Sequence, residues 1–571
     1  MKKIHSLLSV ICLFLLVSCA SVGGNGGSAK TEYLRTDFPA SAALAKGSYF
    51  PALAGIAPDP ETSLAAADAD WFKDQNFYHI WVSAFSDSDS DGIGDIRGIT
   101  AKLDYLKELG VTAIWLSPFC KSASSRSNLH CYDTIDYYQV DPRFGTNEDV
   151  KNLLDTAHEK GLRIIFDMVP NHVSDENPWF VASKRGDPDK RAWFLWTEKV
   201  PETGWKDWGG RSAWRAAGRK ADGNIQYNYA IFWSKMPDLN YRNPEVRKAV
   251  ADATIFWLNM GFDGIRMDAV RYLFEDLQTG LNGVDKTCPE SSEFFRQYRS
   301  EVLDRYGALG YSKFMVAENW TGDRASLKEF IEKDGKKGFQ MTMDFSFGSL
   351  ASQSISGGPD YYSSAIGLES YWKGFGNQFL SDGGWLATFL NNHDNYQSRP
   401  YTGFGGNQGK IDLAVVLQYT GLGTPFWYYG NELDMEGQNN GQDTNFRKPM
   451  TWDRVAGFKA NPASTYSQAK SLMNLRSSRV SLRRGSFVPA VSGNDGIKAF
   501  MRTDGSEKTL VIMNFTSGPL PVSVDTGNAG TRTRLLLGSS PAVAGRDYGM
   551  KDGRVSAETL EAWGFAVLAL E

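Results

Sequence analysis

Acidic, basic and imidazole side chains stand at the ends of four apolar runs in this sequence. In chain order they are Asp167, Asn171 and His172; Arg266 and Asp268; Glu318; and Asn392, His393 and Asp394. A single Asp or His after a strand is more often a structural hydrogen-bonding group, because buried polar groups are normally paired. Four such groups, all at the ends of predicted strands, favour a shared site in which carboxylates and histidines carry out acid/base chemistry.

A second candidate site is the acidic stretch DSDSDGIGDIRG at residues 87–98. Carboxylates at its positions 1, 3, 5 and 9 and a backbone carbonyl at position 7 can surround one oxygen-liganded cation. These residues are Asp87, Asp89, Asp91, Asp95 and, for the carbonyl, Ile93. An EF-hand is disfavoured, because position 12 is Gly98 instead of glutamate and the preceding residues 77–85 have the pattern of a strand. A solvated acidic turn is the alternative, but four close carboxylates repel one another without a cation. The stretch therefore predicts a structural calcium site.

The elements that must position these groups alternate between strand-like and helix-like patterns. Residues 99–110, 147–161 and 244–261 have helical periodicity, with Thr146 as an N-cap and Pro244 in a first turn. Strands are predicted for 77–85, 111–118 and 162–172, and for the segments FDGIRMDAV, KFMVAENW, WLATFLNNHD and TPFWYYGNE. This alternation predicts parallel strands, and a closed eight-stranded α/β barrel fits the number of units better than an open sheet. In such a barrel the active site lies at the carboxyl ends of the strands, where the polar groups would converge.

Two regions interrupt the alternation. Residues 174–238 are rich in Trp, Arg, Gly and Asp without clear periodicity, which indicates an inserted subdomain. The last part of the chain alternates short strand patterns with Gly, Asp and Asn turns, which predicts an antiparallel β domain. The predicted division is a signal peptide at 1–18, a tether and extension at 19–70, a barrel at 71–173 and 239–478, an insert at 174–238, and a C-terminal β domain at 479–571.

The N-terminus has the layout of an export signal. Lys2 and Lys3 precede an apolar run from Leu7 to Val17 that is short for a membrane span. The run ends in Leu-Val-Ser-Cys, which resembles the bacterial lipobox and implies cleavage before Cys19 and lipidation of that cysteine. GGNGGS at 23–28 would then be a flexible tether. The protein is therefore expected to be exported and lipid-anchored to the bacterial cell membrane, and an ordinary cleaved signal with an incidental cysteine is the alternative.

The composition is that of a globular protein, and it argues against some classes of partner. Hydrophobic residues make up 42% of the 571 residues and the formal net charge is -5, without a long basic run, so nucleic acid is not expected as a partner. The 17 Trp and 24 Tyr suit the flat faces of carbohydrate rings. The cysteines Cys120, Cys131 and Cys288 have no metal-ligand spacing, and a disulfide between the first two stays open at this point.

Four segments, in this order and at this spacing, resemble the signature regions of the α-amylase family, glycoside hydrolase family 13. They are DMVPNH, GFDGIRMDAV, VAENW and FLNNHD, and further matches are GVTAIWLSP, HCYD, MPDLN, GTPFWYYGNE and RKPMTW. The resemblance extends over residues 77–452. It implies a (β/α)8 TIM barrel with an inserted domain B after the third strand, a C-terminal antiparallel β-sandwich, and Ca2+ bound by the loop after the first strand.

The resemblance also implies a retaining glycosidase, with Asp268 as nucleophile, Glu318 as general acid/base and Asp394 holding the hydroxyls of the reacting sugar. Substrate-binding roles are implied for Tyr132, Asp133, His172, Arg266 and His393, whereas Asn171 matches without an assigned role. Retention requires two carboxyl groups about 5 Å apart. Arg266 lies on the same strand face as Asp268 and can keep that carboxylate ionised, while Glu318 must keep its proton and is expected to have a raised pKa.

The substrate is narrowed by two details. MPDLN at 236–240 resembles the signature of a subgroup intermediate between oligo-1,6-glucosidases and neopullulanases. Exo-acting glucosidases of the family commonly have an acidic residue three positions before the tyrosine that matches Tyr132, and that position is Leu129 here. We therefore expect a monomeric α-amylase that cleaves internal α-1,4 bonds of starch or maltodextrin. The alternatives are an oligosaccharide-specific α-glucosidase, a cyclomaltodextrinase, a transglycosylase, or a non-catalytic glucan-binding surface lipoprotein.

Overall fold

The computed structural model describes residues 50–66, 68–200, 205–275, 282–284, 287–394, 396–527, 529–539 and 548–571. The predicted signal peptide, Cys19 and the glycine-rich tether lie outside these residues. Among the helices of these described ranges, none has the length and apolar character that crossing a bilayer requires.

Eight parallel strands close into a barrel in which each strand pairs with its neighbours in chain order. They are β1 Phe77–Ile80, β2 Ala113–Leu116, β3 Arg163–Met168, β4 Gly264–Met267, β5 Phe314–Ala317, β6 Met341–Asp344, β7 Leu386–Thr388 and β8 Thr424–Tyr428. Large apolar side chains of alternate residues, such as Phe77, Trp115 and Phe314, fill the barrel interior. The other face of the strands packs against the helices. The predicted (β/α)8 TIM barrel is confirmed.

Helices cover the outside of the barrel. The main ones are Leu103–Leu109, Asn147–Glu159, Pro244–Met260, Pro289–Tyr298, Arg324–Ile331, Phe347–Ser363, Gln408–Thr420 and Thr465–Ser478. Shorter helices are Ile96–Thr100, Asp304–Ala308, Leu368–Tyr371, Asn377–Ser381, Pro400–Gly403, Val455–Ala460 and Val480–Arg484. The helix Asn147–Glu159 starts at Thr146 in a capping box with Asp149, as its N-cap residue predicted.

Two element predictions need correction. The first strand ends at Ile80, and Val82–Phe85 forms a single helical turn before the acidic loop, because the Val82 N–H donates to the Ser117 hydroxyl instead of continuing the sheet. Strand β6 was not predicted. Its four residues include Thr342 and Asp344 and run directly into the apolar start of the next helix, so the sequence shows neither a long apolar run nor a turn signal there.

The insert after β3 is a small subdomain of its own. It contains the helix Pro178–Arg185 and a three-stranded antiparallel sheet of Trp196–Thr197, Ile225–Tyr229 and Trp214–Arg219. Its aromatic residues Trp205, Trp214 and Tyr229 pack in one cluster with Ala269 and Tyr272, which follow β4. The insert therefore packs against the segment that follows the carboxyl end of β4.

A second excursion follows β2. The antiparallel strands Cys120–Ser122 and Thr134–Val140 enclose the loop that carries Tyr132. Cys120 and Cys131 are both free thiols, so no disulfide closes this loop, and Cys288 is free as well. The Cys131 sulfur accepts a hydrogen bond from the Ser122 hydroxyl at 3.2 Å.

The C-terminal part of the chain is an antiparallel domain of eight strands. They are Ser486–Ser492, Ile497–Asp504, Glu507–Asn514, Leu520–Asp525, Thr533–Gly538, Gly549–Lys551, Arg554–Leu560 and Phe565–Leu570. The first of these strands pairs at one end with Ile497–Asp504 and at the other with Leu520–Asp525, so it belongs to both halves of the folded sheet. Side chains of the two halves, such as Ile512 and Val524, share one core. The antiparallel C-terminal domain is thus confirmed.

Candidate active site

The carboxyl ends of β3, β4, β5 and β7 surround one cavity of about 460 Å³. Six of the sequence-predicted residues line it: Tyr132, His172, Asp268, Glu318, His393 and Asp394. The insert supplies the other wall with Phe232, Trp233 and Met236. The structure therefore brings together groups that are up to 262 positions apart in the chain, from Tyr132 to Asp394.

Arg266 lies beneath the cavity and is fully buried. Its Nη1 atom is 2.7 Å from Asp167 Oδ1 and 2.6 Å from Asp268 Oδ1, and its Nη2 atom is 2.9 Å from Glu318 Oε1. One cation thus faces three carboxyl groups that have little contact with water. A single positive charge cannot compensate three negative ones. The cluster therefore favours a state in which some of these carboxyl groups keep their proton.

Of the three carboxyl groups around Arg266, the two that line the cavity, Asp268 and Glu318, differ in their protonation. Burial raises the pKa of Asp268 to about 6, and Arg266 opposes this rise. Burial raises the pKa of Glu318 to about 8, again against Arg266, and the charges of Asp268 and Asp394 raise it further. At neutral pH, Asp268 is therefore mainly a carboxylate and Glu318 mainly a carboxylic acid. The second oxygen of Glu318 accepts the Ala269 N–H at 2.8 Å, which fixes the orientation of the side chain.

Neutral imidazoles flank these carboxyl groups. Burial lowers the pKa of His172 to about 3 and that of His393 well below its ordinary value. Within the described residues, His172 Nε2 and His393 Nδ1 are buried and have no hydrogen-bonding partner. Both rings therefore keep a nitrogen that can bond a ligand without carrying a charge.

Tyr132 lies between the charge cluster and His393. Its hydroxyl donates to Asp167 Oδ2 at 3.1 Å and is 2.7 Å from His393 Nε2. Its ring is nearly parallel to that of His393, with centroids 5.5 Å apart. The tyrosine therefore presents a flat, fixed surface at the cavity.

Arg447 contributes to the site, although the sequence singled it out only as part of RKPMTW. Its Nη2 is 3.3 Å from Asp394 Oδ1 and 3.3 Å from Asp443 Oδ2, and its Nη1 donates to Asn128 Oδ1 at 3.2 Å. Its Nε donates to the His393 carbonyl at 3.0 Å. This arginine thus joins the loop after β8 to the loop before Tyr132 beside Asp394.

Asp133 and Asn171 lie behind the cavity. Asp133 accepts a hydrogen bond from the Ser124 hydroxyl, which in turn accepts the Cys131 N–H at 3.0 Å, so this network fixes the loop that presents Tyr132. Asn171 donates to Asp238 Oδ2 at 3.0 Å and thereby ties the end of β3 to the MPDLN segment. The structure gives both residues a role in positioning loops.

The acidic loop brings three of its four carboxylates together. Asp87, Asp89 and Asp95 each offer an oxygen, and these atoms lie within 4.8 Å of one another. Backbone N–H groups of Ser90 and Gly92 donate to Asp87 at 2.7 and 2.8 Å, which curves the loop around the group. These hard oxygen donors fit a calcium ion.

Asp91 does not join this group. Its Oδ1 accepts the Ile93 N–H at 2.7 Å and its Oδ2 is 3.5 Å from Arg126 Nη1. Asp91 was predicted as a direct ligand, but its carboxylate is not part of the group that Asp87, Asp89 and Asp95 form. Ile93, predicted to contribute its carbonyl, is a buried residue of the same loop.

The family model of the α-amylase catalytic domain matches residues 79–480. This chain belongs to the α-amylase family. Alpha-amylase 3 of Dictyoglomus thermophilum is 32% identical over 468 residues, which cover 78% of this chain and 85% of that protein. Oligo-1,6-glucosidase of Parageobacillus thermoglucosidasius is 30% identical over 535 residues, covering 78% of this chain and 90% of that protein.

A solved structure described as an α-amylase from H. orenii superimposes with a TM-score of 0.73 at 28% identity, covering 87% of this chain and 99% of that one. Because the family model covers most of the chain, the protein is a glycoside hydrolase of family 13.

Proposed function

We propose that this glycoside hydrolase is a retaining, endo-acting α-amylase that cleaves internal α-1,4 bonds of starch or maltodextrin. The observation that carries the proposal is the pair of carboxyl groups around Arg266, one with a pKa of about 6 and the other with a pKa of about 8. A double displacement needs one carboxylate and one carboxylic acid at the same pH, and this arrangement supplies both.

In the first step Asp268 attacks the anomeric carbon, and the bond between that carbon and the glycosidic oxygen breaks. Glu318 gives its proton to the departing oxygen, so the leaving chain departs as a neutral alcohol. In the second step Glu318, now a carboxylate, takes a proton from water while the water oxygen attacks the same carbon. Asp268 is released as a carboxylate, and the two inversions together retain the α configuration.

The surrounding groups suit the charge that develops on the sugar. Asp394 carries its carboxylate into the cavity and can accept hydrogen bonds from two sugar hydroxyls. His172 and His393 are neutral and therefore add no positive charge beside the oxocarbenium-like transition state. Tyr132 can stack below the reacting ring. We assign substrate binding to these four side chains and positioning to Asp133 and Arg266.

The endo preference is supported by the loop before Tyr132. Leu129 occupies the position at which exo-acting glucosidases of the family commonly have an acidic residue, and its side chain is buried and apolar. It cannot pair with hydroxyls of a terminal glucose. The lack of an acidic group at this position therefore supports internal cleavage.

A second candidate, an oligosaccharide-specific α-glucosidase, is favoured by Arg447. Its guanidinium, held by Asp443 and Asn128, stands beside Asp394 and lines the cavity. A fixed cationic donor at this place can bond the hydroxyls of a terminal glucose. The oligo-1,6-glucosidase among the relatives makes this candidate worth a direct comparison.

The deciding experiment is a time course of products from soluble starch, resolved by chain length, with the parent protein and Asp268→Asn side by side. Mixed maltooligosaccharides that appear early in the α configuration support the retaining endo hydrolase. Early glucose alone supports the α-glucosidase, and longer products from short maltooligosaccharides show transfer. Turnover by Asp268→Asn equal to that of the parent would refute the assigned nucleophile.

We also propose that Asp87, Asp89 and Asp95 hold a structural calcium ion, which would neutralise their charge and hold the loop after β1. The lipobox resemblance supports export and anchoring through Cys19, and MPDLN supports membership of the intermediate subgroup. Labelling cells with a fatty acid tests the anchor, since the parent should incorporate the label and Cys19→Ala should not. A labelled Cys19→Ala protein would refute this attachment site.

A further inference from the structure

Arg399 is a buried arginine behind the part of the active site that Arg447 lines. It belongs to the loop after β7, and its side chain has no exposed surface. Its guanidinium donates to carbonyl and amide oxygens, and among the described residues no carboxylate pairs with it. Burying a guanidinium without a counter-charge costs stability. Its donors are therefore expected to hold something beside the site in place.

These donors reach three parts of the long loop after β8, residues 429–451, which we call the β8 loop. Nη1 of Arg399 donates to the Tyr429 carbonyl at 2.7 Å and to Asn431 Oδ1 at 3.0 Å, and Nη2 donates to the Phe446 carbonyl at 2.9 Å. The backbone N–H of Arg399 donates to the Gly437 carbonyl at 2.9 Å. One residue of the loop after β7 thus holds the start, the middle and the far part of the β8 loop.

Two tyrosines at the end of β8 complete this anchor. The ring centroids of Tyr428 and Tyr429 lie 4.7 and 5.1 Å from the central guanidinium carbon of Arg399, which suits cation–π contacts. The Tyr428 hydroxyl donates to the Phe446 carbonyl at 2.9 Å, and the Tyr429 hydroxyl donates to the Lys448 carbonyl at 2.6 Å. The carbonyls of the residues before and after Arg447 are therefore both fixed from below.

The anchor is closely packed. Phe446 is fully buried, and a Cβ atom on Gly437 would lie 3.0 Å from Cγ and Cδ of Arg399 and 3.1 Å from Cδ1 of Phe446. Backbone, arginine stem and phenyl ring thus fill this place without spare room. A side chain that lacks the guanidinium would release the Phe446 carbonyl.

The contacts of Arg447 within the site are less well protected. Its ion-pair partners are Asp394, whose side chain is 31% exposed, and Asp443, whose side chain is 48% exposed. Ion pairs that water reaches contribute little to holding a side chain in one place. The position of Arg447 therefore depends mainly on its backbone, which Arg399 and the two tyrosines hold.

We propose that Arg399 is a positioning residue that sets where the Arg447 guanidinium stands beside Asp394, and thereby how tightly the sugar at Asp394 is bound. Arg399 does not line the cavity, whereas Arg447 and Asp394 do, so it acts through Arg447 and not on the substrate. This inference rests on the proposed function, in which Asp394 binds hydroxyls of the reacting sugar.

The effect should fall on binding more than on the chemical step. Asp268 and Glu318 are oriented by a separate set of contacts, with Arg266 and with the Ala269 N–H. Loss of Arg399 should therefore raise KM for maltoheptaose and leave kcat close to that of the parent.

The test is a double-mutant cycle with the parent, Arg399→Met, Arg447→Ala and the double variant. In the parent background, Arg399→Met should lower kcat/KM for maltoheptaose about tenfold, mainly through KM. In the Arg447→Ala background the same change should have no further effect, because the group that it positions is absent. Arg399→Lys keeps the charge without the planar fork and should recover only part of the loss.

Arg476 offers a matched control. It is also fully buried, and its Nη2 donates to the carbonyls of Lys73 and Gly423 at 3.0 and 3.1 Å, at the amino ends of β1 and β8. Arg476→Met removes a comparable buried guanidinium at the opposite end of the barrel. It should lower the melting temperature as Arg399→Met does, but it should leave KM as in the parent.

A gentler variant keeps the proposal testable if Arg399→Met does not fold. Tyr429→Phe keeps the ring on Arg399 and removes the hydrogen bond to the Lys448 carbonyl. It should raise KM in the same direction by a smaller factor, and only when Arg447 is present.

The inference is overturned if Arg399→Met or Tyr429→Phe lowers kcat/KM by the same factor with and without Arg447. It is also overturned if the loss lies in kcat alone, or if Arg476→Met raises KM equally. Failure of the proposed function looks different, since the parent would then release no maltooligosaccharides from starch or would do so no better than Asp268→Asn. The two failures are therefore separable within one set of assays.

Discussion

The opposite protonation of Asp268 and Glu318 predicts the pH dependence of the reaction. With pKa values of about 6 and about 8, roughly 80% of the protein has both groups in the productive state at pH 7. At pH 5 Asp268 is mostly protonated, and at pH 9 Glu318 is mostly ionised. We therefore expect kcat/KM for a maltooligosaccharide to fall to about a tenth of its neutral value at both ends. The profile should be bell-shaped, with its maximum near pH 7.

The Glu318→Gln variant tests separately which group produces the acid limb and which produces the alkaline limb of the pH profile. Without the acid, turnover of maltoheptaose should fall by about 10²-fold to 10⁴-fold. Fluoride leaves without a proton, so the rate at which maltosyl fluoride forms the glycosyl intermediate should fall less. The alkaline limb should disappear, because the group that produces it is gone. Initial rates with both donors at intervals from pH 4 to pH 10 provide the measurement. An alkaline limb that persists in Glu318→Gln would refute the assignment of this residue.

Three further predictions follow from the contacts. Replacing Arg266 with Leu should lower the free energy of unfolding by about 3–5 kcal/mol, because three carboxyl groups lose their buried cation. It should also move the acid limb of the pH profile to higher pH. Urea unfolding and the pH profile measure these effects, and Arg266→Lys is the milder control. Chelation should lower the melting temperature and added Ca2+ should restore it. The Asp89→Asn variant should lose this response, whereas Asp91→Asn should keep it. A response that is kept in Asp89→Asn and lost in Asp91→Asn would contradict the proposed ligand set. Tyr132→Phe keeps the stacking ring but loses the contact with His393, so its kcat/KM should drop about tenfold without loss of thermal stability, and an unchanged rate would show that the hydroxyl has no role.

Much of the barrel was predictable because its strands are short apolar runs separated by helices with clear caps. Thr146 and Pro244 mark helix starts that the structure contains. The errors lie where local pattern and tertiary contacts disagree. The first strand was predicted too long because Val82–Phe85 is as apolar as the strand itself, although its backbone turns into a helix. Strand β6 was missed because four residues give no readable period.

The candidate site likewise has features that the sequence predicted and features that it did not. The types of the candidate catalytic groups and their places at strand ends were readable, since a parallel barrel brings all carboxyl ends of its strands to one face. The separation of Asp91 from the other acidic side chains was not readable, because Arg126 reaches it from a loop 35 residues away. The free state of Cys120 and Cys131 is likewise a matter of distance and orientation, which spacing along the chain does not contain.

The sequence by itself determined the family, the barrel, the carboxyl groups and the loop suited to calcium, because these depend on residue types at short, regular spacing. Only the tertiary structure decided which carboxyl group holds a proton at neutral pH, because that depends on burial and on a guanidinium shared across β3, β4 and β5. It also decided that residues of the insert and of the loop after β8, such as Phe232 and Arg447, line the same cavity. Interactions through space between distant segments set both features, and no local pattern encodes them.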